Sequence, residues 1–154
     1  MRRSCKFLTL LLFVVTTLSG FAATGKVVKV LPHFLDLEGR HSLSPSLYDR
    51  DAYQAELRKN PAKRSGVRFD VLWRGRSEIK NQTATLRVEL RGTAKGDLPT
   101  KTQLETPVKI DSFGHWVKLT LAGQAYQDFG EITAWRVTLW VGDEMIGEQK
   151  SFLW

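Results

Sequence analysis

The fold is decided by residues 132–154, which read ITAWRVTLWVGDEMIGEQKSFLW. Apolar and polar positions alternate along residues 135–141, which is the period of a β-strand with two different faces. Gly142 and Asp143 then favour a tight reversal, because glycine tolerates positive φ and aspartate can cap its own turn. We expect a β-hairpin whose second strand runs to the end of the quoted stretch. A hairpin is marginally stable alone, so this one must join a larger sheet.

The preceding part of the chain supplies further strand patterns. The same alternation appears at residues 67–73, 86–90 and 117–121, between clusters of turn-forming residues. A short strand over residues 26–31 is closed by Pro32, and Pro107 places a weaker strand at a sheet edge, because proline cannot donate to a central ladder. This pattern predicts an antiparallel sandwich or barrel rather than βαβ units.

One helix is expected, over about residues 44–61. Asp49 is the candidate N-cap, since its carboxylate can accept from free amides of the first turn. Asn60 and Pro61 end the helical pattern. A helix of about three turns does not hold itself together, so it must pack on the sheets.

The strand order from Val67 onward resembles an immunoglobulin-like or fibronectin type III-like β-sandwich, here of a small exported bacterial protein. Residues 134–140, with their return at 152–154, are similar to the last hairpin of many small exported sandwich domains. The resemblance implies a mainly β fold: an antiparallel immunoglobulin-like β-sandwich with one short helix inserted after the first strand. The Cys–Trp–Cys core of immunoglobulin domains is missing. The resemblance implies no functional residue, because the fold hosts unrelated functions.

The first residues have the three parts of a secretory signal peptide: basic residues at positions 2, 3 and 6, an apolar run over 7–18, and small residues over 19–23. The apolar run is about a dozen residues, whereas a membrane-spanning helix needs roughly 20. We therefore expect a signal peptide over residues 1–23, a single exported domain over residues 24–154, and no membrane span after processing. Periplasmic or extracellular localisation follows.

The composition argues against several classes of function. The only cysteine, Cys5, lies in the signal segment, so the mature chain has no disulfide, no thiolate zinc site and no cysteine nucleophile. The precursor carries a net charge of +7, and removing the three basic residues of the signal leaves +4. These charges are interspersed along the chain, which argues against a nucleic-acid binder.

The first candidate site is a platform of indoles and arginines on the outward strand faces. Sugar rings stack on indoles, while arginine and aspartate bond hydroxyl groups. The alternatives are an Arg–Trp ladder that only stabilises the sheet, or indoles covered by the helix. The outward positions are Arg68, Arg74, Arg87, Arg91, Lys118, Arg136, Trp116 and Trp140, of which Trp116, Trp140, Arg136 and Arg87 are the predicted binding residues.

The second candidate is the helical insertion, where Tyr48 and Tyr53 are of the amphipathic type enriched in interfaces. The alternative is that both rings bury against the sheet and seal its open end.

The third candidate, the segment from His33 to His41, includes Asp36 and Glu38. Its spacing matches no metal-ligand pattern, so we expect ordinary polar residues there, with no metal and no cofactor. No nucleophile elbow or phosphate loop is present. The sequence therefore predicts a non-catalytic exported module that binds an envelope protein or a glycan. A structural envelope subunit, and a small hydrolase or metal-binding protein using the His33–His41 segment, are the alternatives.

Overall fold

The computed structural model describes residues 25–94 and 97–154; the predicted signal peptide lies outside these ranges. The described chain is mainly β. Its strands are β1 (Gly25–Asp36), β2 (Arg64–Gly75), β3 (Thr83–Thr93), β4 (Pro99–Lys109), β5 (His115–Ala122), β6 (Glu131–Val141) and β7 (Glu144–Lys150). Its α-helices are α1 (Leu47–Lys59) and α2 (Gln124–Phe129), and single 3₁₀ turns lie at Pro61–Lys63 and Ser77–Ile79.

The strands form two antiparallel sheets. One has the order β1-β2-β5 and the other the order β4-β3-β6-β7. Both contribute to one hydrophobic core, in which Phe69 and Trp73 of the three-stranded sheet lie with Val88 and Leu139 of the four-stranded sheet. This arrangement confirms the predicted mainly β, antiparallel architecture and is compatible with a β-sandwich.

The alternation read from the sequence corresponds to burial. In β3, Leu86 and Val88 are fully buried and face Leu139 and Val137 of β6 across the ladder. The residues between them in β3 point to the opposite face, because successive side chains of a strand alternate. The predicted strand segments at 67–73, 86–90 and 117–121 are all confirmed.

The predicted hairpin is formed by β6 and β7, and its reversal consists of two residues, Gly142 and Asp143. Gly142 has a φ of 55°, the positive value for which glycine is suited. The prediction that the second strand runs to Trp154 is wrong, because β7 ends at Lys150. Ser151 stops it: its N–H donates to the Trp135 carbonyl, and its hydroxyl accepts from the Trp135 N–H.

The first strand is longer than the sequence indicated. Pro32 does not close it, and the strand continues to Asp36. The reason is the position of β1 in the sheet. It is an edge strand with a single hydrogen-bonded neighbour, so a proline can be accommodated where the backbone N–H would face away from that neighbour. Pro107 of β4 also lies in an edge strand, as predicted.

The helices differ from expectation in two details. The N-cap of α1 is Ser46, whose hydroxyl accepts from the Asp49 N–H at 3.4 Å, so Asp49 lies in the first turn instead of capping it. The expectation of a single helix is wrong, since α2 occupies a stretch that resembled a turn cluster. Gly123 and Gly130 bound α2 with positive φ, while Tyr126 and Phe129 fix it to the core.

Helix α1 is attached to the free edge of β1 through Gln54, which is buried. The Phe34 N–H donates to Gln54 Oε1 at 2.8 Å, and Gln54 Nε2 donates to the Phe34 carbonyl at 2.9 Å. The same Nε2 donates to the His41 carbonyl at 2.8 Å. The side-chain amide thus takes the place of a neighbouring strand's peptide group, and it satisfies backbone groups that the sheet leaves unpaired.

The C-terminal end of α1 is held by Arg64, whose guanidinium is buried. Its Nε donates to the Leu57 carbonyl at 2.6 Å, a second nitrogen donates to the Arg58 carbonyl, and the group lies 4.1 Å from the centroid of the Phe34 ring. A third nitrogen reaches both carboxylate oxygens of Glu131 at 3.0 Å. Arg64 therefore bonds two of the last four carbonyls of the helix, which lack i+4 partners; the Leu57 carbonyl also accepts from the Asn60 N–H at 3.3 Å. Within the described ranges, no helix combines the length and apolar content needed to cross a membrane.

Candidate functional site

The two predicted indoles lie on different sheets. Trp116 of β5 is opposite Leu72 on the outer face of the three-stranded sheet and is 51% exposed. Trp140 of β6 is opposite Thr85 on the outer face of the four-stranded sheet. The prediction of one continuous platform is therefore wrong. Alternation determines which residues point outward, but it does not determine which sheet a strand joins.

One part of the predicted platform is assembled on the four-stranded sheet. We call it the Arg–Trp face; it consists of Arg87, Arg91, Arg136, Trp140 and Trp154, interleaved with the carboxylates Glu89, Glu105 and Glu148. Three of the predicted binding residues, Arg87, Arg136 and Trp140, are in this set. They come together because β3 and β6 are the two central strands and pair directly.

At one end of the face, Arg87 lies 5.3 Å from the centroid of the Trp140 ring. The Arg87 guanidinium also pairs with Glu105 of β4, and the Trp140 indole N–H donates to the Thr138 hydroxyl at 2.8 Å. An arginine stacked on an aromatic ring contributes only modestly to folding stability when the pair is exposed. These contacts fix the orientation of the Trp140 ring.

At the other end, Trp154 packs against two arginines. Arg91 lies 4.0 Å from its ring centroid and Arg136 lies 6.0 Å from it. Arg136 is held between two carboxylates, since its Nε is 2.7 Å from Glu148 and 3.6 Å from Glu89. The indole is thus oriented by charged groups that are themselves paired.

Beside Trp154 the face contains an open pocket of about 350 Å³, which we call the Trp154 pocket. On the outer face its lining combines an indole with a carboxylate, an ammonium and an amide. Such groups can both donate to and accept from a polar ligand, and the ring offers an apolar surface. The residues are Glu89, Leu90, Lys101, Thr102, Gln103 and Trp154.

The two tyrosines of the insertion have different environments. Tyr48 is 82% exposed, so it does not bury against the sheet. The Tyr53 hydroxyl donates to Asp36 Oδ2 at 2.7 Å, and this hydrogen bond is the main reason that the pKa of Tyr53 is raised. Tyr53 therefore anchors α1, while Tyr48 is available at the surface.

The carboxylate of Asp36 is a structural centre of the insertion. Burial raises its pKa, but hydrogen bonds from the Tyr53 hydroxyl, from Arg40 and from the Glu38 N–H outweigh burial and lower the pKa to about 2. Glu38 forms its own ion pair with Arg40. These interactions account for both carboxylates of the His33–His41 segment.

The two histidines of that segment contact each other, with ring centroids 5.3 Å apart. His33 Nε2 lies 3.8 Å from Asp70, whose carboxylate accepts two bonds from Arg68 at 2.7 and 2.8 Å. Burial is the main cause that lowers the pKa of both His33 and His41. Among the residues that the structure describes, no group of three or more histidine, cysteine or acidic side chains is placed to hold a metal ion.

Sequence reasoning missed the pocket and its principal ring. The alternation pattern places Trp154 in a strand, whereas the chain turns back after Ser151 and the indole packs on the sheet face. Gln103 and Lys101 belong to the edge strand β4 and meet β3 through the pairing of Gln103 with Glu89. Only knowledge of strand order and register would have indicated this cluster. Neither a protein-family model, a curated protein nor a solved structure matches the chain.

Proposed function

We propose that this chain is an exported, non-catalytic module that binds a glycan through the Trp154 pocket and the adjoining Arg–Trp face. The observation that carries the proposal is the composition of the pocket: an oriented indole is bordered by Glu89, Lys101 and Gln103. An indole can cover the C–H face of a sugar ring, and the polar groups can bond its hydroxyls.

Preorganisation supports binding. The Trp154 ring is already packed on Arg91, and Arg136 is fixed by Glu148, so little conformational freedom is lost when a ligand arrives. The Arg–Trp face could alternatively act only as a stabilising ladder. The open pocket beside the ladder favours the binding interpretation, because a purely structural ladder needs no cavity.

The proposal includes an immunoglobulin-like, fibronectin type III-like sandwich as the scaffold. Its support is the three-plus-four arrangement of antiparallel strands, in which the chain crosses between the sheets after β2, β4 and β5. The proposal also includes export. It is supported by the signal-like pattern of residues 1–23.

The test is a depletion assay in which the mature chain, residues 24–154, is mixed with insoluble cell-wall and plant polysaccharides. We expect depletion by at least one glycan. We also expect affinity to fall by about tenfold or more in Trp154→Ala, since an aromatic ring that acts as a binding hot spot contributes at least about 1.4 kcal/mol. Gln103→Ala should weaken binding as well, without changing the free energy of unfolding by more than about 0.5 kcal/mol.

The chain provides a matched control in Trp116→Ala. Trp116 is an exposed indole on the other sheet, so its removal should leave glycan depletion unchanged. Equal losses from Trp116→Ala and Trp154→Ala would contradict the assignment of the site. Absence of depletion on every glycan would contradict the glycan proposal itself.

An envelope protein is the second candidate ligand, favoured by the exposure of Phe152 and Leu153 beside Trp154. Large exposed apolar side chains next to aromatic anchors are typical of protein interfaces. A photo-crosslinking amino acid at position 152 should then give a discrete protein adduct in cells, while the same group at the exposed position of Leu43 should not. Failure to form an adduct at position 152 would eliminate this candidate.

A further inference from the structure

A second pocket, of about 590 Å³, lies where β1 begins and β2 ends. It is formed at the end of the three-stranded sheet, on a different sheet from the Arg–Trp face. Its lining is rich in cations and hydroxyls, and we call it the basic pocket. The side chains that define it are Lys26, Arg74, Arg76, Ser77, Glu78 and Ser112.

The cations of this pocket are placed against each other. Lys26 of β1 and Arg74 of β2 are direct partners across the antiparallel ladder, and both side chains are exposed. Arg76 follows two residues later and lines the same pocket. Like charges that face each other directly across a strand pair destabilise the pair. Repulsion between Lys26 and Arg74 therefore destabilises this end of the sheet unless an anion is bound.

The protein does not neutralise these cations itself. In the part of the chain that the structure describes, Lys26, Arg74 and Arg76 form no ion pair within 4.0 Å, and Glu78 is the single carboxylate of the lining. The neighbouring carboxylate of Asp111 is oriented toward other groups, because it lies 3.9 Å from the Lys80 ammonium and 3.6 Å from His115.

The arginines of the basic pocket differ from those of the Arg–Trp face in their partners. There, Arg87 and Arg136 are each paired with glutamate and packed against an indole. In the basic pocket, the arginines have neither kind of partner among the described residues. Arginines that are paired with carboxylates can act as scaffold, whereas unpaired arginines grouped around a cavity are suited to an anionic ligand.

We infer that the basic pocket binds a phosphate-type oxyanion. The planar guanidinium groups of Arg74 and Arg76 match the oxygens of a phosphate, and the Lys26 ammonium adds a point charge. The Ser77 hydroxyl can donate to a remaining oxygen, whereas the Ser112 hydroxyl already donates to Asp111 Oδ1 at 3.3 Å. Binding would remove the repulsion between Lys26 and Arg74. The anion is either a soluble phosphate compound or the headgroup of a phosphorylated lipid, which share this chemistry.

The experiment uses the mature chain, residues 24–154, and two probes. Inorganic pyrophosphate is titrated by calorimetry, and vesicles of phosphatidylcholine, with and without phosphatidic acid, are tested by co-sedimentation. We expect binding of pyrophosphate, or selective co-sedimentation with phosphatidic acid, and the probe that binds identifies the source of the phosphate. The affinity should fall by about tenfold or more in the Arg74→Gln/Arg76→Gln variant, because two charge-assisted contacts are lost.

Arg58→Gln/Lys59→Gln is the matched control, since it removes two exposed charges from α1. It should bind the probe as the unmodified chain does. Equal weakening in both variants would show that only net charge matters and would overturn the site. Absence of binding to either probe would also overturn it.

A second measurement checks the electrostatic reasoning without relying on affinity. At low ionic strength and without anion, Arg74→Gln should raise the melting temperature, because it removes one member of a repelling pair. Pyrophosphate at about ten times its dissociation constant should raise the melting temperature of the unmodified chain by about 4 °C and that of the variant by less. Glycan depletion should be unaffected by these substitutions, so this inference and the proposed function can fail independently. A lower melting temperature for Arg74→Gln without anion would refute the repulsion.

Discussion

Replacing Gln54 tests whether one side chain protects the free edge of β1. The amide forms three hydrogen bonds, one from the Phe34 N–H and one each to the carbonyls of Phe34 and His41. Each contributes about 1 kcal/mol net to stability, so Gln54→Ala should cost about 3 kcal/mol. For a domain of this size that loss lowers the melting temperature by about 10 °C. It is a large part of a total stability of about 5–15 kcal/mol.

Urea unfolding of the mature chain, followed by tryptophan fluorescence, measures this loss. The midpoint should fall while the slope of free energy against urea stays constant, because the surface exposed on unfolding is the same. Lys59→Ala is the control in the same helix: Lys59 is exposed, and lysine and alanine have similar helix propensity. Its effect should be within about 0.5 kcal/mol.

Gln54→Leu separates the hydrogen bonds from simple packing. Leucine fills a similar volume but cannot pair with the Phe34 and His41 backbone, so this variant should lose at least about 2 kcal/mol. Gln54→Glu should also be destabilised, because a carboxylate can accept from the Phe34 N–H but cannot donate to the two carbonyls. A Gln54→Leu protein as stable as the unmodified chain would refute the edge-protection argument.

Three further predictions concern single positions. The pKa of Asp36 is lowered from 3.8 to about 2, so its carboxylate contributes roughly 2 kcal/mol to the free energy of unfolding above pH 4. This contribution should be lost as the pH falls toward 2, and Asp36→Asn should abolish the pH dependence in acid-unfolding curves. Arg64→Met should cost about 2–3 kcal/mol in urea unfolding, because the guanidinium bonds to the Leu57 and Arg58 carbonyls are lost. Glu131→Gln should cost less than about 1 kcal/mol, since the Glu131 side chain is 55% exposed; equal costs would contradict this division. Gly75→Ala should lower the free energy of unfolding by about 2–3 kcal/mol, because a Cβ there overlaps Ile110 Cγ2. Ile110→Ala should then cost less in the Gly75→Ala protein than in the unmodified chain, and purely additive costs would exclude the overlap.

Local sequence patterns predicted the strands well because each depends on neighbours in the chain. The buried and outward positions of β3 follow from period-2 alternation, and the β6–β7 reversal follows from the chemistry of Gly142 and Asp143. The errors have non-local causes. Pro32 is accepted because β1 is an edge strand, and Ser151 ends β7 by bonding Trp135, which lies sixteen residues earlier in the chain.

The candidate site was only partly predictable for the same reason. Arg87, Arg136 and Trp140 were identified as outward residues, and they do meet, because β3 pairs with β6. Trp116 was grouped with them although it lies on the other sheet. Trp154 completes the pocket through a chain reversal that no periodic pattern indicates. Outward direction is a local property, whereas membership of one face requires the strand order.

The way in which the strand edges are protected helps to distinguish an assembling subunit from a binding module. An assembling subunit needs an open edge that can pair with another chain, and native proteins block such edges with charge, proline or covering segments. Here Gln54 pairs with the edge of β1, and the edge strand β4 contains Pro99 and Pro107. The edge strand β7 lies against β1, and Gly147 permits this approach, because a Cβ at that position would lie only 3.2 Å from the Cα of Lys26. Three of the four edge strands, all but β5, are thus occupied or interrupted, and the sheet faces and the pockets beside them are better suited to recognition than these three edges are.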